Sequence, residues 1–240
     1  MSPTLDVVIP CLNEERALPV SVRRLHGFMS CNLSEYDWGI VVADNGSTDG
    51  TLDAAEALSN EFPEVRYIRL EQRGRGRALR RAWTDSAADI VAYMDVDLST
   101  DLAHLLPMVS AIAQGRCDVA IGSRLLPDSE VVGRTLKREI TSRGYSLLFR
   151  TMFFTSFRDA QCGFKAVSRR AADDLAPLVE DNGWFFDSEL LILAQKCGYP
   201  ILELPVHWTD DPDSRVRIIR TAWEDVKGLL RLKFGGVGKV

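Results

Sequence analysis

No apolar run in these 240 residues approaches the roughly 18 residues that cross a bilayer. The first residues lack the basic, apolar, small-residue order of a signal peptide. Cysteine is sparse and scattered: Cys11, Cys31, Cys117, Cys162 and Cys197 form no CxxC pair. The three histidines, His26, His104 and His207, lie far apart in sequence. These spacings argue against a disulfide framework and against a zinc site. Reduced, mostly buried thiols are expected instead. Two phosphate-binding signatures are also missing, the GxxxxGK[ST] loop and the GxGxxG turn. The expectation is a cytoplasmic chain whose membrane contact is peripheral.

What is present fits a folded protein. Hydrophobic residues make up 46% and charged residues 26%, too apolar for a disordered chain. The length suits one large domain or two small ones. No repeat or low-complexity linker divides it, so a single domain over 1–240 is expected. The net charge of −5 is unevenly spread. Residues 215–240 carry seven basic and two acidic side chains, on an otherwise acidic body. A basic tail suits an anionic partner, and charge alone fits a nucleic acid or an anionic membrane.

Hydrophobic periodicity predicts an alternating series. Strands are expected at 5–10, 38–43, 65–70, 90–94 and 118–122, and helices at 13–28, 51–62, 77–87 and 102–114. Such alternation predicts a mainly parallel sheet flanked by helices. Ligands of such sheets bind beyond the carboxyl ends of the strands. Here those ends carry Pro10–Glu14, Asp44–Asp49 and Asp95–Asp97. The second half is less regular. It holds an apolar cluster over 142–157, a loop and strand over 159–167, a helix over 186–196 and a strand over 201–208. A final amphipathic helix is expected over 217–233, with basic residues beside its apolar face.

Several groups at these positions suit phosphate chemistry. Alternation points Asp95 and Asp97 the same way if strand geometry continues. Paired carboxylates of this kind can hold Mg²⁺ or Mn²⁺ through oxygen. Asp44 could accept hydrogen bonds from a base or ribose, or could serve only a turn and helix cap. The Arg73–Ala78 run could offer backbone N–H groups and guanidinium groups to phosphates, or could be a solvated basic turn. Arg124, Lys137, Arg138, Arg143 and Arg215 could pair with further phosphates, or could be surface charges.

Taken in order, these residues resemble the family 2 GT-A glycosyltransferases. The resemblance rests on Pro10-x-x-Asn13-Glu14, Asp44-Asn45-Gly46-Ser47-x-Asp49-Gly50-Thr51 and Asp95-x-Asp97. The second half is similar to polyprenyl-phosphate sugar synthases of the dolichyl-phosphate glucose, mannose or N-acetylhexosamine type. Gly122-Ser123-Arg124, the Asp159–Ala166 run, the Trp184–Leu191 run, Leu204-Pro205-Val206-x-Trp208 and Ser214-Arg215 carry that similarity. It covers roughly residues 5–232. It implies an α/β GT-A fold with a nucleotide-sugar half over 1–125 and an acceptor or membrane-facing half over 126–240.

The resemblance also implies roles. Pro10, Asn13, Glu14 and Asp44 would line the nucleoside pocket, with Asn45 and Ser47 beside them. Arg75 stands where the family often has lysine. Asp95 and Asp97 would hold the metal, with Val96 between them at the donor. Arg124 and Arg215 would contact phosphates, and Gln161 and Lys165 would shape the floor. Asp187 and Glu189 would sit near the sugar or acceptor, as sugar ligands or structural acids. Asn45 and Ser99 depart from the family's frequent aspartate and glutamine, which leaves the choice of base and sugar open.

The implied reaction is inverting transfer of a hexose or N-acetylhexosamine from a UDP-sugar, or less favourably GDP-mannose, to polyprenyl phosphate. A phosphate monoester is largely ionised at neutral pH and needs no strong base. Catalysis would rest on positioning and on charge neutralisation. The implied partners are a nucleotide sugar, polyprenyl phosphate and the cytoplasmic membrane face, with room for a small integral membrane partner and no nucleic acid. The rival readings are a family 2 transferase with a soluble saccharide acceptor and a non-catalytic nucleotide-sugar-binding or scaffold protein.

Overall fold

A computed structural model describes residues 2–210 and 218–235, with the backbone alone given for 218–220. The first half alternates as expected: β1 (Thr4–Cys11), α1 (Ala17–Asn32), β2 (Asp37–Asp44), α2 (Thr51–Glu61), β3 (Val65–Arg69), α3 (Arg75–Asp85) and β4 (Ile90–Met94). A short 3-10 turn (Leu102–His104) leads into α4 (Leu105–Ala113) and β5 (Val119–Ser123). Then come β6 (Glu130–Val132), α5 (Leu136–Phe153), β7 (Phe164–Ser168), α6 (Arg169–Leu175) and α7 (Phe186–Lys196). The last elements are β8 (Ile201–Pro205), β9 (His207–Thr209) and α8 (Ile218–Phe234).

Seven strands form one sheet in the order β3-β2-β1-β4-β7-β5-β8. All neighbours are parallel except at β7, which runs antiparallel to both β4 and β5. The strands are apolar on both sides because both faces are covered. Val7, Ile9, Ile40 and Val42 pack toward one core with Leu18 and Val22 of α1 and Leu58 of α2. Val8, Val41, Val91 and Tyr93 face a second core with Leu79 and Trp83 of α3 and Leu190 and Leu193 of α7. The same second core takes Phe149 of α5 and Leu229 and Leu232 of α8.

Three details differ from the sequence expectation. Helix α1 starts at Ala17 rather than Asn13, because Asn13 has φ 57° and cannot lie in a right-handed helix. The single strand expected over 201–208 is divided, with β8 in the large sheet and β9 paired to β6 in a second small one. Neither β6 nor α6 stands out in the sequence. Helix α5 begins before the apolar cluster, where the Thr135 side chain accepts from the Arg138 N–H, and ends at Phe154 with φ 54°. Among the described residues, no helix is long and apolar enough to cross a membrane.

Candidate active site

The carboxyl ends of β1, β2, β4 and β5 meet the start of antiparallel β7 at one edge of the sheet. The first two loops are stitched together there. Pro10 is buried in β1 opposite Ala43. The left-handed turn at Asn13, which asparagine tolerates, lets its N–H donate to Ser47 Oγ at 2.9 Å. Asn13 Oδ1 accepts from the Thr48 N–H at 2.8 Å, and the Glu14 N–H donates to Thr51 Oγ1 at 2.7 Å. Asn45 Oδ1 accepts from the Gly74 N–H at 2.5 Å and so ties in a third loop. Asp44 closes β2 fully buried. Its Oδ1 accepts from the Ser47 N–H at 3.1 Å, while its Oδ2 has no hydrogen-bond partner among the described residues. The Arg69 guanidinium faces that oxygen from 4.0 Å, too far for a hydrogen bond, so the oxygen can still accept from a ligand's donor group.

Behind these loops lies a buried charge network. Arg75, the first residue of α3, is 8% exposed. Its Nη1 donates to Asp187 Oδ2 at 2.7 Å and its Nη2 to Asp95 Oδ1 at 2.6 Å. The rings of Tyr93 and Trp184 each lie about 5 Å from its guanidinium carbon (5.0 and 5.1 Å). Lys165 Nζ donates to Tyr93 Oη at 3.0 Å and to the Cys162 carbonyl at 2.5 Å, and stands 3.1 Å from Asp187 Oδ1. The Tyr93 hydroxyl in turn donates to Asp187. Burial alone would raise the Asp187 pKa, but Lys165 and Arg75 outweigh it and hold the carboxyl below its ordinary value. Burial and Asp187 push the Tyr93 phenol well up, so it remains a donor. Two cations thus balance two carboxylates, which is what buried charges require.

The glycines flanking Arg75 allow close packing. A Cβ at Gly74 would lie 2.5 Å from the Asn182 carbonyl, and one at Gly76 2.6 Å from Phe186 Cβ. Arg73 is exposed, but Arg75, Gly76 and Ala78 are buried, so most of the run is no solvated turn. It seats Arg75 against the segment that leads into α7.

Asp95 and Asp97 follow β4 at the mouth of this network. A small cavity of ≈ 10 Å³ is lined by both carboxylates, Ser99, Gly163 and Trp208, and is about the size of one water molecule. Asp97 Oδ1 accepts from the Ser99 N–H at 2.9 Å. The Val96 carbonyl accepts from the Ser21 hydroxyl. Among the described residues, no three His, Cys, Asp or Glu side chains converge as a complete metal cage. Two carboxylates beside an open space fit Mg²⁺ or Mn²⁺, which commonly keep waters and take further oxygens from substrate phosphates. Gly163 closes the cavity floor: a Cβ there would sit 1.8 Å from Asp95 Oδ2.

A second feature opens beside the first. A groove of ≈ 460 Å³ is lined by Arg124, Arg134, Arg143 and Arg158 and walled by apolar residues including Leu125, Val131 and Leu136. Arg124 is held by Asp159 through Nε at 2.7 Å and Nη2 at 2.9 Å, a bidentate pair, and its own N–H donates to the same carboxylate. Despite burial, Arg124 holds Asp159 down at about 2. Trp208 joins the two features. It lines the carboxylate cavity, and Arg124 and Arg134 lie 5.4 and 5.9 Å from its ring.

The remaining sequence candidates fall elsewhere. Glu189 is 1% exposed, accepts from the Asp181 N–H at 2.8 Å and pairs with Arg231 of α8 at 2.8 Å. It ties α7 to α8, as a structural acid would. Gln161 donates to Asp225 of α8 at 2.6 Å. Arg215 lies outside the described residues, as does the Ser214-Arg215 pair. Sequence reasoning did not single out Tyr93, Trp184, Asp159, Trp208 or Asp225 as site residues. Tyr93 reads as strand core and Asp225 as a solvated helix acid. Asp159, Trp184 and Trp208 lie within the runs that carry the family resemblance, which was the available signal.

This sheet, with one antiparallel strand and its polar loops at the carboxyl edge, is a fold of the GT-A kind. The family model described as glycosyl transferase family 2 matches residues 6–176, and the chain belongs to that family. It is 39% identical over 221 residues to glycosyltransferase AglD of Haloferax volcanii, covering 90% of this chain and 35% of that protein. The chain thus spans about a third of the length of that relative. It is 30% identical over 233 residues to the human dolichyl-phosphate beta-glucosyltransferase, covering 90% of this chain and 71% of that one. The Dictyostelium discoideum protein of the same name is 29% identical over 241 residues, covering 96% and 74%. In fold the chain is similar to glucosyl-3-phosphoglycerate synthase from Mycobacterium tuberculosis, with a TM-score of 0.72, 22% identity, and coverage of 97% of this chain and 80% of that one.

Proposed function

We propose that this chain is an inverting glycosyltransferase that moves glucose from UDP-glucose to a polyprenyl phosphate. The observation that carries the reading is the adjacency of two oppositely built features. A carboxylate-lined cavity suits a metal-bound diphosphate. An arginine-lined groove with apolar walls suits a lipid monophosphate. Trp208 stands between them. The names of the relatives point to glucose and dolichyl phosphate.

Asp44, with its open buried oxygen, would accept a hydrogen bond from the uridine base. Pro10, Asn13, Glu14, Asn45 and Ser47 would shape the pocket around it. Asp95 and Asp97 would hold Mg²⁺ or Mn²⁺, which when bound neutralises charge on the departing diphosphate. Arg75 and Lys165 keep Asp187 ionised and fixed, and Arg124 offers its guanidinium edge to the acceptor phosphate. An ionised phosphate oxygen attacks C1 of the sugar. The bond from C1 to the diphosphate oxygen breaks, and its electron pair leaves with UDP. No proton moves in this step, so no general base is required.

The chain would work at the cytoplasmic face of a membrane. Helices α5 and α8 pack against each other and expose Leu147, Phe154, Trp223, Leu230 and Phe234. Lys196 and Lys233 flank the Phe153 ring at 5.2 and 5.7 Å. Exposed apolar side chains beside ammonium groups suit an anionic bilayer surface.

The test is transfer from a panel of radiolabelled UDP- and GDP-sugars to polyprenyl phosphate, with Mn²⁺, with Mg²⁺ and with EDTA. Labelled lipid from UDP-glucose, lost with EDTA, is the expected result. Labelled soluble saccharide without labelled lipid would overturn the acceptor assignment.

A further inference from the structure

Helix α8 reaches the site through one acidic side chain. Asp225 is 2% exposed, although its neighbour Glu224 is exposed. Its Oδ2 accepts from Gln161 Nε2 at 2.6 Å, and its Oδ1 is buried without a hydrogen-bond partner. The face of α8 that carries Asp225 is tightly seated. One turn on, a Cβ at Gly228 would lie 2.3 Å from the Phe185 ring, and a further turn on Arg231 pairs with Glu189. The helix therefore has little freedom to slide without moving Asp225.

Gln161 is the centre of a loop that touches both halves of the site. Its N–H donates to Asp159 Oδ1 at 3.0 Å, on the carboxylate that clamps Arg124. The next carbonyl, of Cys162, accepts from Lys165. Gly163 follows, against the Asp95 carboxylate, and its carbonyl accepts from the Asp95 N–H at 3.1 Å. A displacement of Gln161 is felt at all three.

We infer that Asp225 is a positioning residue for the transfer reaction: through Gln161 it sets the Asp159–Gly163 loop and couples the seat of α8 to the geometry of Arg124 and Asp95. The inference rests on the transferase reading above. The coupling depends on charge. Tyr145 of α5, whose hydroxyl donates to Ser188 at 2.7 Å, feels the Asp225 charge. Asp187 of α7, Asp181 of the preceding loop and Glu224 of α8 all act on Asp225 as like charges. Burial and these acids push its carboxyl up to about 7, against the opposing pull of the Gln161 hydrogen bond. The group changes charge in the neutral range, and its grip on Gln161 is stronger when ionised.

The test compares the wild type with Asp225→Asn, Gln161→Ala and the double variant. Donor and acceptor KM and kcat are measured from about pH 6 to about pH 9, with thermal unfolding at each pH. Asparagine keeps an acceptor oxygen and removes the titration. The expected result is an acceptor KM or kcat about tenfold worse than wild type near pH 8, converging near pH 6, in Asp225→Asn. The double variant should lose no more than Gln161→Ala alone. Unfolding should shift the other way, with Asp225→Asn melting above wild type near pH 8, which excludes misfolding as the cause. Identical pH profiles in wild type and Asp225→Asn, or losses that multiply in the double variant, would overturn the inference while leaving the transferase reading intact. A wild type that transfers no sugar from any donor would instead overturn that reading. The unfolding comparison would then still decide whether Asp225 titrates as described.

Discussion

Replacing Gly163 with alanine adds one methyl group, and the structure says where it must go. The new Cβ would lie 1.8 Å from Asp95 Oδ2 and 2.3 Å from Asp95 Cγ. To regain ordinary contact the carboxylate must retreat by ~1.5 Å. The backbone cannot easily yield, because the Asp95 N–H is bonded to the Gly163 carbonyl and β7 is paired on both sides. The Asp95 side chain is the softer element, and its rotation breaks the 2.6 Å bond to Arg75. A misplacement of this size in a positioning group costs ~10²-fold in rate. Overpacking adds about 1–3 kcal/mol of instability, which need not unfold the domain. The assay is kcat/KM for the sugar donor at saturating Mn²⁺, beside circular dichroism and a denaturant midpoint. Asp95→Ala should lower activity at least as far, and the double variant should go no lower than Asp95→Ala. A folded Gly163→Ala enzyme with wild-type kcat/KM would show that the Asp95 carboxylate position does not matter to catalysis.

Three further outcomes are expected. Asp97→Ala should abolish metal-dependent transfer while leaving the unfolding midpoint nearly unchanged, since Asp97 is exposed; full activity would sink the metal assignment. Arg124→Lys keeps the charge but loses the bidentate pair to Asp159, so acceptor KM should rise roughly tenfold with donor KM little changed. Asp159 contributes to acid stability: its pKa is about 2 in the fold against 3.8 unfolded, so it adds roughly 2 kcal/mol above pH 3.8. That contribution is lost as pH falls through about 2, and Asp159→Asn should flatten the acid limb of a stability–pH curve.

Much of the architecture was legible because buried parallel strands announce themselves. The 90–94 run is apolar throughout, and the structure forms β4 over the same residues. Strand direction was not legible. β7 is buried on both faces like its neighbours, and nothing in Phe164–Ser168 encodes that it runs the other way. At the site, loop residues such as Asn13 and Asp44 were visible because turns demand polar residues there. Asp225 and Tyr93 were not. Their roles arise from tertiary contacts with residues 64 and 94 positions away, and no local pattern records such a contact. Glu189 likewise makes a tertiary contact that no local pattern records, its ion pair with Arg231.

The two features of the site differ in charge in a way that fits their proposed cargoes. The donor end is built on acids. Arg75 and Lys165 are already matched by Asp95 and Asp187, so a diphosphate approaching this end meets no surplus cation from that network. It needs an added one, and the carboxylates are where a divalent ion would bind. The acceptor groove is the reverse. Arg124 is matched by Asp159, and Glu139 is shared between Arg134 and Arg143 at 3.0 and 2.5 Å. Four arginines stand against Asp159, Glu139 and Glu203, whose carboxylate accepts from the Arg158 and Asp159 N–H groups, so a net positive charge remains. A phosphate monoester carries about −1.5 to −2 near pH 7. The groove can therefore offset much of the acceptor's charge without a metal. Metal dependence should accordingly reside in donor binding, and acceptor affinity should depend on salt rather than on the metal.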